Sequence, residues 1–349
     1  MCRRQATARV AVARAASVTM VAPASVRTAD AGGGAPTDGK RFFNLEPFEE
    51  HGFGAMLTWM LNRDRGTWED RTAVASAPPP PRRVGPGELR VTVIGHSTVL
   101  VQLDGMNILT DPIYSDRAGP LSWLGSKRMR APGIRFEDLP VIDAVVVSHN
   151  HYDHLDLPTL ERLAVLHQPR FFVGLKNAQL LNDAGIANVT ELDWWQTAPL
   201  GADLRIVGVP AQHWSKRGLG DDFTTLWLGF LIESRAGYVY FAGDTGWGPH
   251  FEQIADRFGP ARLALLPVGA FRPRFIMERA HMSPPEAADA AAVLQATTSI
   301  PIHYGTFALG DDGQDEPITV LCEYLDATAL PRPTFVLNDF GVGFDAAGP

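Results

Sequence analysis

Four metal-competent side chains fall within six residues, His149, His151, Asp153 and His154, in the stretch Ser148-His149-Asn150-His151-Tyr152-Asp153-His154. An apolar run, Ile142 to Val147, leads into the motif and a helical stretch follows, so the motif is predicted where a strand tip opens into a loop. A helical zinc motif sets its two histidines four apart on one face, whereas a separation of two suits extended or looping backbone. On such a backbone His149 and His151 reach one ion, while Asp153 and His154, just past the turn, reach a second. A lone surface histidine is usually a solvated polar residue, but a cluster this dense fits the ligand chemistry of zinc and its relatives.

The elements that must position this motif recur along the chain. Strands are predicted over Leu89 to Ile94 and Val99 to Leu103, with Gly95-His96-Ser97-Thr98 between them, and over Met106 to Pro112, which ends on Asp111. A long loop follows, carrying Trp123 and the basic group Lys127-Arg128-Met129-Arg130. After the motif, Asp156 is placed to cap a helix with Pro158 in its first turn and a stripe of Leu157, Leu160, Leu163 and Leu166. Phe171-Phe172-Val173 is a short strand, and Asn177 to Ala184 a helix stopped by Gly185. The second half repeats the pattern: Leu204 to Val209 runs to His213, Tyr238 to Ala242 to Asp244, Leu263 to Val268 to Ala270-Phe271, and Ser299 to Ile302 to His303. Helices are predicted at Phe251 to Phe258, closed by Gly259-Pro260, and at Pro284 to Gln295, where Ser283 and Glu286 form a capping box. Asp111, His149, His213, Asp244 and His303 thus each lie just beyond the carboxyl end of a separate strand, where α/β proteins gather ligand-binding groups. The expected fold is a four-layer αβ/βα sandwich built from two similar halves, with an N-terminal extension.

Composition narrows the function classes. A 349-residue chain with 45% hydrophobic and 20% charged residues is an ordinary globule with a sizeable core. A net charge of −8 argues against a general nucleic-acid surface, which needs a cationic footprint. Two cysteines, Cys2 and Cys322, make no disulfide framework, so any metal ligands are His, Asp or Glu. No run of eighteen apolar residues is present to span a bilayer as a helix.

Three segments are expected: residues 1–40 as a tail, 41–88 as a helical extension with a Pro-rich linker, and 89–349 as the main domain. Arg3, Arg4, Arg9 and Arg14 precede an Ala/Val-rich stretch, which leaves open a targeting segment, a disordered tail or an over-long start, and with it the compartment. The aromatic stretch Phe42 to Trp68 is read as a short apolar helix on the protein's own core, with a membrane-surface contact as the sharper alternative. Pro78-Pro79-Pro80-Pro81 is read as a stiff linker into the main domain.

Seven residues complete a dinuclear site: His149, His151 and His213 for one ion, Asp153, His154 and His303 for the other, and Asp244 between them. Two divalent ions about 3.5–4 Å apart share a hydroxide and clamp the entering and leaving oxygens of a displacement at phosphorus. They lower the pKa of water from about 15.7 to about 7, so no serine or cysteine nucleophile is needed. Zinc suits these ligands, and iron or manganese also accept them. Asp111 is read as orienting a ligand imidazole, against a turn role before Pro112, and His96 as a hydrogen-bonding residue beside the ligands. His281, near the start of the capped helix, would donate to an oxyanion or protonate a leaving group. With Asp153 and Asp244 it makes up the candidate catalytic set. Lys127, Arg128 and Trp214 are candidate substrate contacts, although a basic run such as Lys127 to Arg130 is more often a solvated loop. His51, His167 and His250 are read as surface or core residues.

From about Val91 to Thr306 the chain resembles the metallo-β-lactamase superfamily, and within it the N-acyl-phosphatidylethanolamine-hydrolysing phospholipase D family. The resemblance rests on Gly95-His96-Ser97-Thr98-Val99, Leu109-Thr110-Asp111-Pro112, Ser148 to Leu155, Glu191-Leu192-Asp193-Trp194-Trp195 and Gln212-His213-Trp214. It continues through Phe241-Ala242-Gly243-Asp244-Thr245-Gly246, His281-Met282-Ser283-Pro284 and Ile302-His303-Tyr304-Gly305-Thr306-Phe307. It implies attack of a hydroxide held by two metal ions on the phosphodiester of an N-acylated phosphatidylethanolamine, releasing N-acylethanolamine and phosphatidic acid. All seven ligands are present at matching positions, and His281 takes the place of the family's catalytic histidine. Ser283 and Pro285 replace acidic residues common after that histidine, and the region before Val91, where lipid access and homodimer contacts would lie, matches poorly. Two rival readings stand beside this one: a lactonase or other small-ester hydrolase of the same fold, and a metal-binding regulator without turnover.

Overall fold

The structure, a computed structural model, describes residues 33–47, 53–70, 74, 78–329 and 333–347. The Arg-rich and Ala/Val-rich stretch through residue 32 lies outside the described residues, as do Cys2, Phe48 and His51. Chain order begins with α1 (Phe53–Leu61), β1 (Leu89–Gly95), β2 (Thr98–Leu103), β3 (Met106–Thr110), β4 (Arg117–Leu121) and β5 (Leu124–Lys127). Then come β6 (Ala144–Val147), α2 (Leu157–Leu166), β7 (Arg170–Gly174), α3 (Ala178–Asp183) and β8 (Val189–Leu192). The second half holds β9 (Thr197–Pro199), β10 (Arg205–Val209), β11 (Gly229–Ser234), β12 (Gly237–Phe241), α4 (His250–Phe258) and β13 (Leu263–Pro267). It ends with α5 (Arg274–Met277), α6 (Pro284–Val293), β14 (Ser299–Ile302), α7 (Glu316–Ala327) and β15 (Phe344–Ala346).

Two mixed sheets result, ordered β15-β1-β2-β3-β6-β7-β8 and β14-β13-β12-β11-β10-β9. Period-two burial assigns the layers, because successive strand residues face opposite sides. Val146 and Phe172 point into the core between the sheets, with Val93 and Val101, against Ile206, Phe230, Ile232, Val239 and Leu265 of the second sheet. Their neighbours Val145, Val147, Phe171 and Val173 face outward, onto Leu160 and Leu163 of α2 and Leu181 of α3. On the far side Val207, Leu231, Ala264 and Leu266 pack on α4, α6 and α7. α6 sits close because Ala287, Ala288, Ala290 and Ala291 are small and fully covered. The architecture is therefore the four-layer αβ/βα sandwich, and strands buried on both faces explain apolar runs such as Ala144–Val147.

This topology gathers the site. β3 and β6 are parallel neighbours, so Asp111 and the Ser148–His154 loop leave one edge together. In the other sheet β12, β13 and β14 are parallel, and β10 runs the same way two strands from β12, so His213, Asp244 and His303 leave the same edge. Gly243, at φ 61, lets the two halves meet: a Cβ there would lie 2.5 Å from Cβ of Ser148.

Several expectations need correction. The segment after Asp111 is not a plain loop but contains the β4–β5 hairpin, whose Gly119 passes so near Leu124 that an added Cβ would sit 1.9 Å from its carbonyl oxygen. Its Gly, Pro and Ser residues and exposed tip carry no apolar alternation to reveal it. Asp156 occupies the N-cap of α2 but makes no cap hydrogen bond to the helix backbone; its carboxylate binds Ser115 and the Thr159 hydroxyl instead. The α2 stripe is narrower than four leucines, since Leu166 is exposed. Residues 33–40 belong to the folded body: Ala35 is buried and its N–H donates to Asp193 at 2.8 Å. Phe42 joins the inter-sheet core, whereas α1 presents Leu57, Met60 and Leu61 to solvent. The Pro-rich stretch is tied to β2 at its end, where Gln102 donates to the Pro81 carbonyl at 2.8 Å, while Pro78, Pro79 and Pro81 are exposed. Among the described residues, no helix is long and apolar enough to cross a membrane.

Candidate metal centre

Two groups of ring nitrogens and carboxylates converge at the shared strand edge. In the first, Nε2 of His149 lies 2.8 Å from Nδ1 of His151, and Nε2 of His213 lies 3.3 Å from the same atom. In the second, Oδ2 of Asp153 lies 3.3 Å from Nε2 of His154 and 3.5 Å from Nε2 of His303. Asp244 stands between the groups, its Oδ2 at 3.0 Å from His303 Nε2, 3.1 Å from His154 Nε2 and 3.8 Å from His213 Nε2. All seven residues expected as ligands are brought to this edge, where His96 also clusters with Asp153, His154 and His303, and His281 with His213 and Asp244.

Fixed hydrogen bonds set which nitrogen each imidazole presents. Asp111 is fully buried and accepts from His154 Nδ1 at 2.6 Å, so that proton stays on Nδ1 and Nε2 faces the carboxylates. The same carboxylate accepts from Ser148 N at 2.7 Å and Ser148 Oγ at 2.6 Å. Ser148 Oγ in turn lies 2.9 Å from Nδ1 of His149, which donates to it and leaves Nε2 free. Nδ1 of His213 donates to the Ala280 carbonyl at 3.0 Å. Backbone strain accompanies these positions: Asp111 has φ 34 and His303 φ 60, values that cost roughly 1–3 kcal/mol each in a non-glycine residue.

The electrostatics fit a cation. Nε2 of His154, Nε2 of His303 and Oδ1 of Asp244 are buried without a hydrogen-bond partner, a costly state that a bound ion removes. Burial disfavours the charge on His154, yet Asp244 and Asp153 outweigh it and raise the imidazole well above its usual range. His303, against the same burial, is raised to about 9 by Asp244 and Asp153. Burial alone would raise Asp244, but His154 and His303 hold its carboxyl far below the ordinary range. In the metal-free protein the carboxylates thus favour protonated imidazoles, a positive charge that a divalent ion would supply in their place. For His149 and His213 burial outweighs the pull of the more distant Asp244, so both are held well below the usual histidine value and offer neutral lone pairs. Three or four N/O ligands per group with carboxylate bridging suit zinc, iron or manganese alike.

Comparison with known proteins settles the family. The sequence profile of the "Beta-lactamase superfamily domain" matches residues 106–304. N-acyl-phosphatidylethanolamine-hydrolyzing phospholipase D 1 of Caenorhabditis elegans is 39% identical over 271 residues, 74% of this chain and 76% of that protein. The chain belongs to the metallo-β-lactamase superfamily, in its N-acyl-phosphatidylethanolamine-hydrolysing phospholipase D family. The mitochondrial yeast protein of the same name is 35% identical over 65% of this chain and 49% of its own length. A metallo hydrolase of the archaeon Ignicoccus hospitalis shares the fold, at TM-score 0.56 and 22% identity over 74% of this chain and 98% of that one. The protein is a hydrolase of the metallo-β-lactamase superfamily with clusters of candidate metal-binding residues.

The remaining predicted residues of this metallo-β-lactamase-family hydrolase fall into two sets. His96 brings Nε2 to 3.0 Å from Asp153 Oδ2, near enough to join the second group but already holding its carboxylate. Nδ1 of His281 lies 3.8 Å from Asp244 Oδ2 and has no hydrogen-bond partner, and burial lowers this imidazole to about 4. Trp214 packs edge-on to His151 at 4.9 Å and to His281 at 6.5 Å, so it walls the site. Lys127 and Arg128 are not brought to the ligands. Lys127 is half exposed and pairs with Asp70 at 2.8 Å. Arg128 is buried beneath the hairpin, donating to the carbonyls of Ile113 at 2.8 Å and Ser115 at 3.1 Å. It fastens the loop after Asp111, as do Asp156 through Ser115, Thr98 through Ile113 N and Thr159 through Tyr114 N. Sequence reasoning passed over Ser148 and Arg217. Ser148 stood in the motif, between an apolar strand and a ligand, whereas nothing local marks Arg217.

Proposed function

We propose that this hydrolase is a phospholipase D-type phosphodiesterase that uses two zinc ions to cleave N-acyl-phosphatidylethanolamine. Water adds at phosphorus and the P–O bond to the ethanolamine side breaks, giving N-acylethanolamine and phosphatidic acid. The observation that carries this reading is Asp244, a carboxylate within 3.0–3.8 Å of imidazoles from both groups. It is supported by the names of the worm and yeast relatives.

Bound divalent ions would supply a Lewis acid for the phosphoryl oxygen and an acidified water as nucleophile. His149, His151 and His213 would hold one ion and Asp153, His154 and His303 the other, with Asp244 shared. His281 is neutral at pH 7, given its lowering to about 4, so it serves as an N–H donor to a phosphoryl oxygen and not as a proton source. Trp214 gives the acyl-amide side of the substrate an apolar wall. The exposed Leu57, Met60, Leu61 and Trp123 side chains support a peripheral contact with a lipid surface.

The test is metal-loaded protein on vesicles containing N-acyl-phosphatidylethanolamine, with both products followed by mass spectrometry and a chelated control. Chelator-sensitive release of both products upholds the reading. Lactone or ester cleavage without phosphodiester cleavage would replace it with carbonyl chemistry, and stoichiometric metal without any hydrolysis would replace it with a non-catalytic role.

A further inference from the structure

The ligand-bearing loop between β6 and α2 supplies His149, His151, Asp153 and His154, yet little within it fixes its shape. Its internal backbone–backbone hydrogen bonds are a turn in which the His151 carbonyl accepts from His154 N at 3.1 Å and Leu155 N at 2.8 Å. The other carbonyls that bracket the ligands are held from a distant segment. Nη1 of Arg217 donates to the Asn150 carbonyl at 3.0 Å and to the Leu155 carbonyl at 2.8 Å, so one nitrogen ties the residue before His151 to the residue after His154. The guanidinium lies 4.1 Å over the Tyr152 ring, and the Tyr152 hydroxyl donates back to the Arg217 carbonyl at 2.7 Å. One residue earlier, Lys216 N donates to Oδ1 of Asn150 at 3.0 Å. Asp221 accepts from the backbone N–H groups of Arg217 and Gly218, which fixes the turn that aims the side chain.

These contacts serve geometry more than charge. The hydrogen-bond acceptors of the Arg217 side chain are main-chain carbonyls, and burial lowers its pKa. A half-buried cation held mainly by carbonyl dipoles costs desolvation, and the two N–H groups of Nη1 supply one donor to each of the two oxygens. The segment also begins four residues after His213, so the strand end that delivers a ligand to one group also clamps the loop that delivers ligands to both.

We propose that Arg217 is a positioning residue for the metal centre, acting through the Asn150 and Leu155 carbonyls to set the spacing of His151, Asp153 and His154. The proposal rests on the metal-centre reading above. Groups just outside the ligands typically change metal affinity by roughly 10–100-fold when removed. The Arg217→Met variant keeps an unbranched apolar stem but loses both hydrogen bonds and the cation over Tyr152. It is expected to bind zinc about 10–100-fold more weakly in chelator competition, with kcat restored at saturating zinc. Arg217→Lys keeps the charge and protects folding but ends one bond short of the Nη1 position that serves both carbonyls, so it is expected to remain weakened as well. Thermal unfolding of both metal-free variants supplies the separate stability readout. Unchanged zinc affinity in folded Arg217→Lys or Arg217→Met, with only a lowered Tm, overturns the positioning role. Absence of zinc binding by the unaltered protein overturns the metal centre itself, and this proposal with it.

Discussion

Replacing Asp111 by Asn is the sharpest perturbation of the centre, because it leaves every candidate ligand in place and acts through the hydrogen bond to His154. The carboxylate accepts three hydrogen bonds, from Ser148 N at 2.7 Å, Ser148 Oγ at 2.6 Å and His154 Nδ1 at 2.6 Å. An amide keeps one acceptor oxygen and places two N–H groups where the second oxygen stood. With the oxygen retained by Ser148 N, the amide nitrogen faces the serine hydroxyl and His154 Nδ1. The hydroxyl rotates at little cost, but His154 must become an acceptor at Nδ1 and carry its proton on Nε2. That is the nitrogen aimed at Asp244 and Asp153, so the tautomer able to ligate becomes the disfavoured one. A lost hydrogen bond to a charged group is worth about 1.5–3 kcal/mol, which matches the roughly 10–100-fold change in metal affinity seen when such outer partners are altered. The metal-free fold loses less, since burial already raises the Asp111 carboxyl and an amide relieves a buried charge. Chelator-competition titration should show the loss while urea midpoints of the metal-free proteins stay close. Adding Ser148→Ala should be sub-additive, since both changes act on one chain of hydrogen bonds. An Asn variant that binds two ions at unaltered affinity refutes the orienting role.

The other predictions address the bridge, the donor and the proton inventory. Asp244→Asn removes the carboxylate shared between groups, so elemental analysis should find one ion or fewer and turnover should vanish; full metal content with near-normal rate would remove Asp244 from the bridge. His281→Ala should keep both ions and lower kcat by about 10²–10³-fold, the range for a lost oxyanion donor, and an unchanged rate would make His281 structural. In the metal-free protein the His303 pKa is raised to about 9, from an ordinary value of about 6.5. Its proton contributes stability that is complete below about 6.5 and lost as pH rises through about 9. The same proton opposes metal uptake, so apparent affinity should climb with pH toward 9 and then level. Calorimetry in two buffers of different ionisation enthalpy should show proton release on metal addition at pH 7; none would mean His303 and His154 start neutral.

What was legible in the sequence follows from which forces are local. Strands buried on both faces announce themselves as runs such as Ala144–Val147, and the capping box at Ser283 and Glu286 fixes the start of α6 by contacts three residues apart. The clustering of the candidate ligands was readable because each lies at or just past the end of such a strand, and strand direction carries them to one edge. The β4–β5 hairpin was not readable, because close backbone approach at Gly119 and Gly125 and not side-chain burial defines it. Lys127 and Arg128 were misplaced for a related reason: charge in a sequence does not say what neutralises it. Here an aspartate 57 residues away takes the lysine, and two carbonyls of the preceding loop take the arginine. Arg217 shows the same effect from the other side. Its acceptors, Asn150 O and Leu155 O, are peptide groups present at every residue, so no motif distinguishes them. Side chains that ligate a metal must be of a few types and are found by type, whereas those that hold the ligating loop in shape bind backbone and are found only once the backbone has been placed.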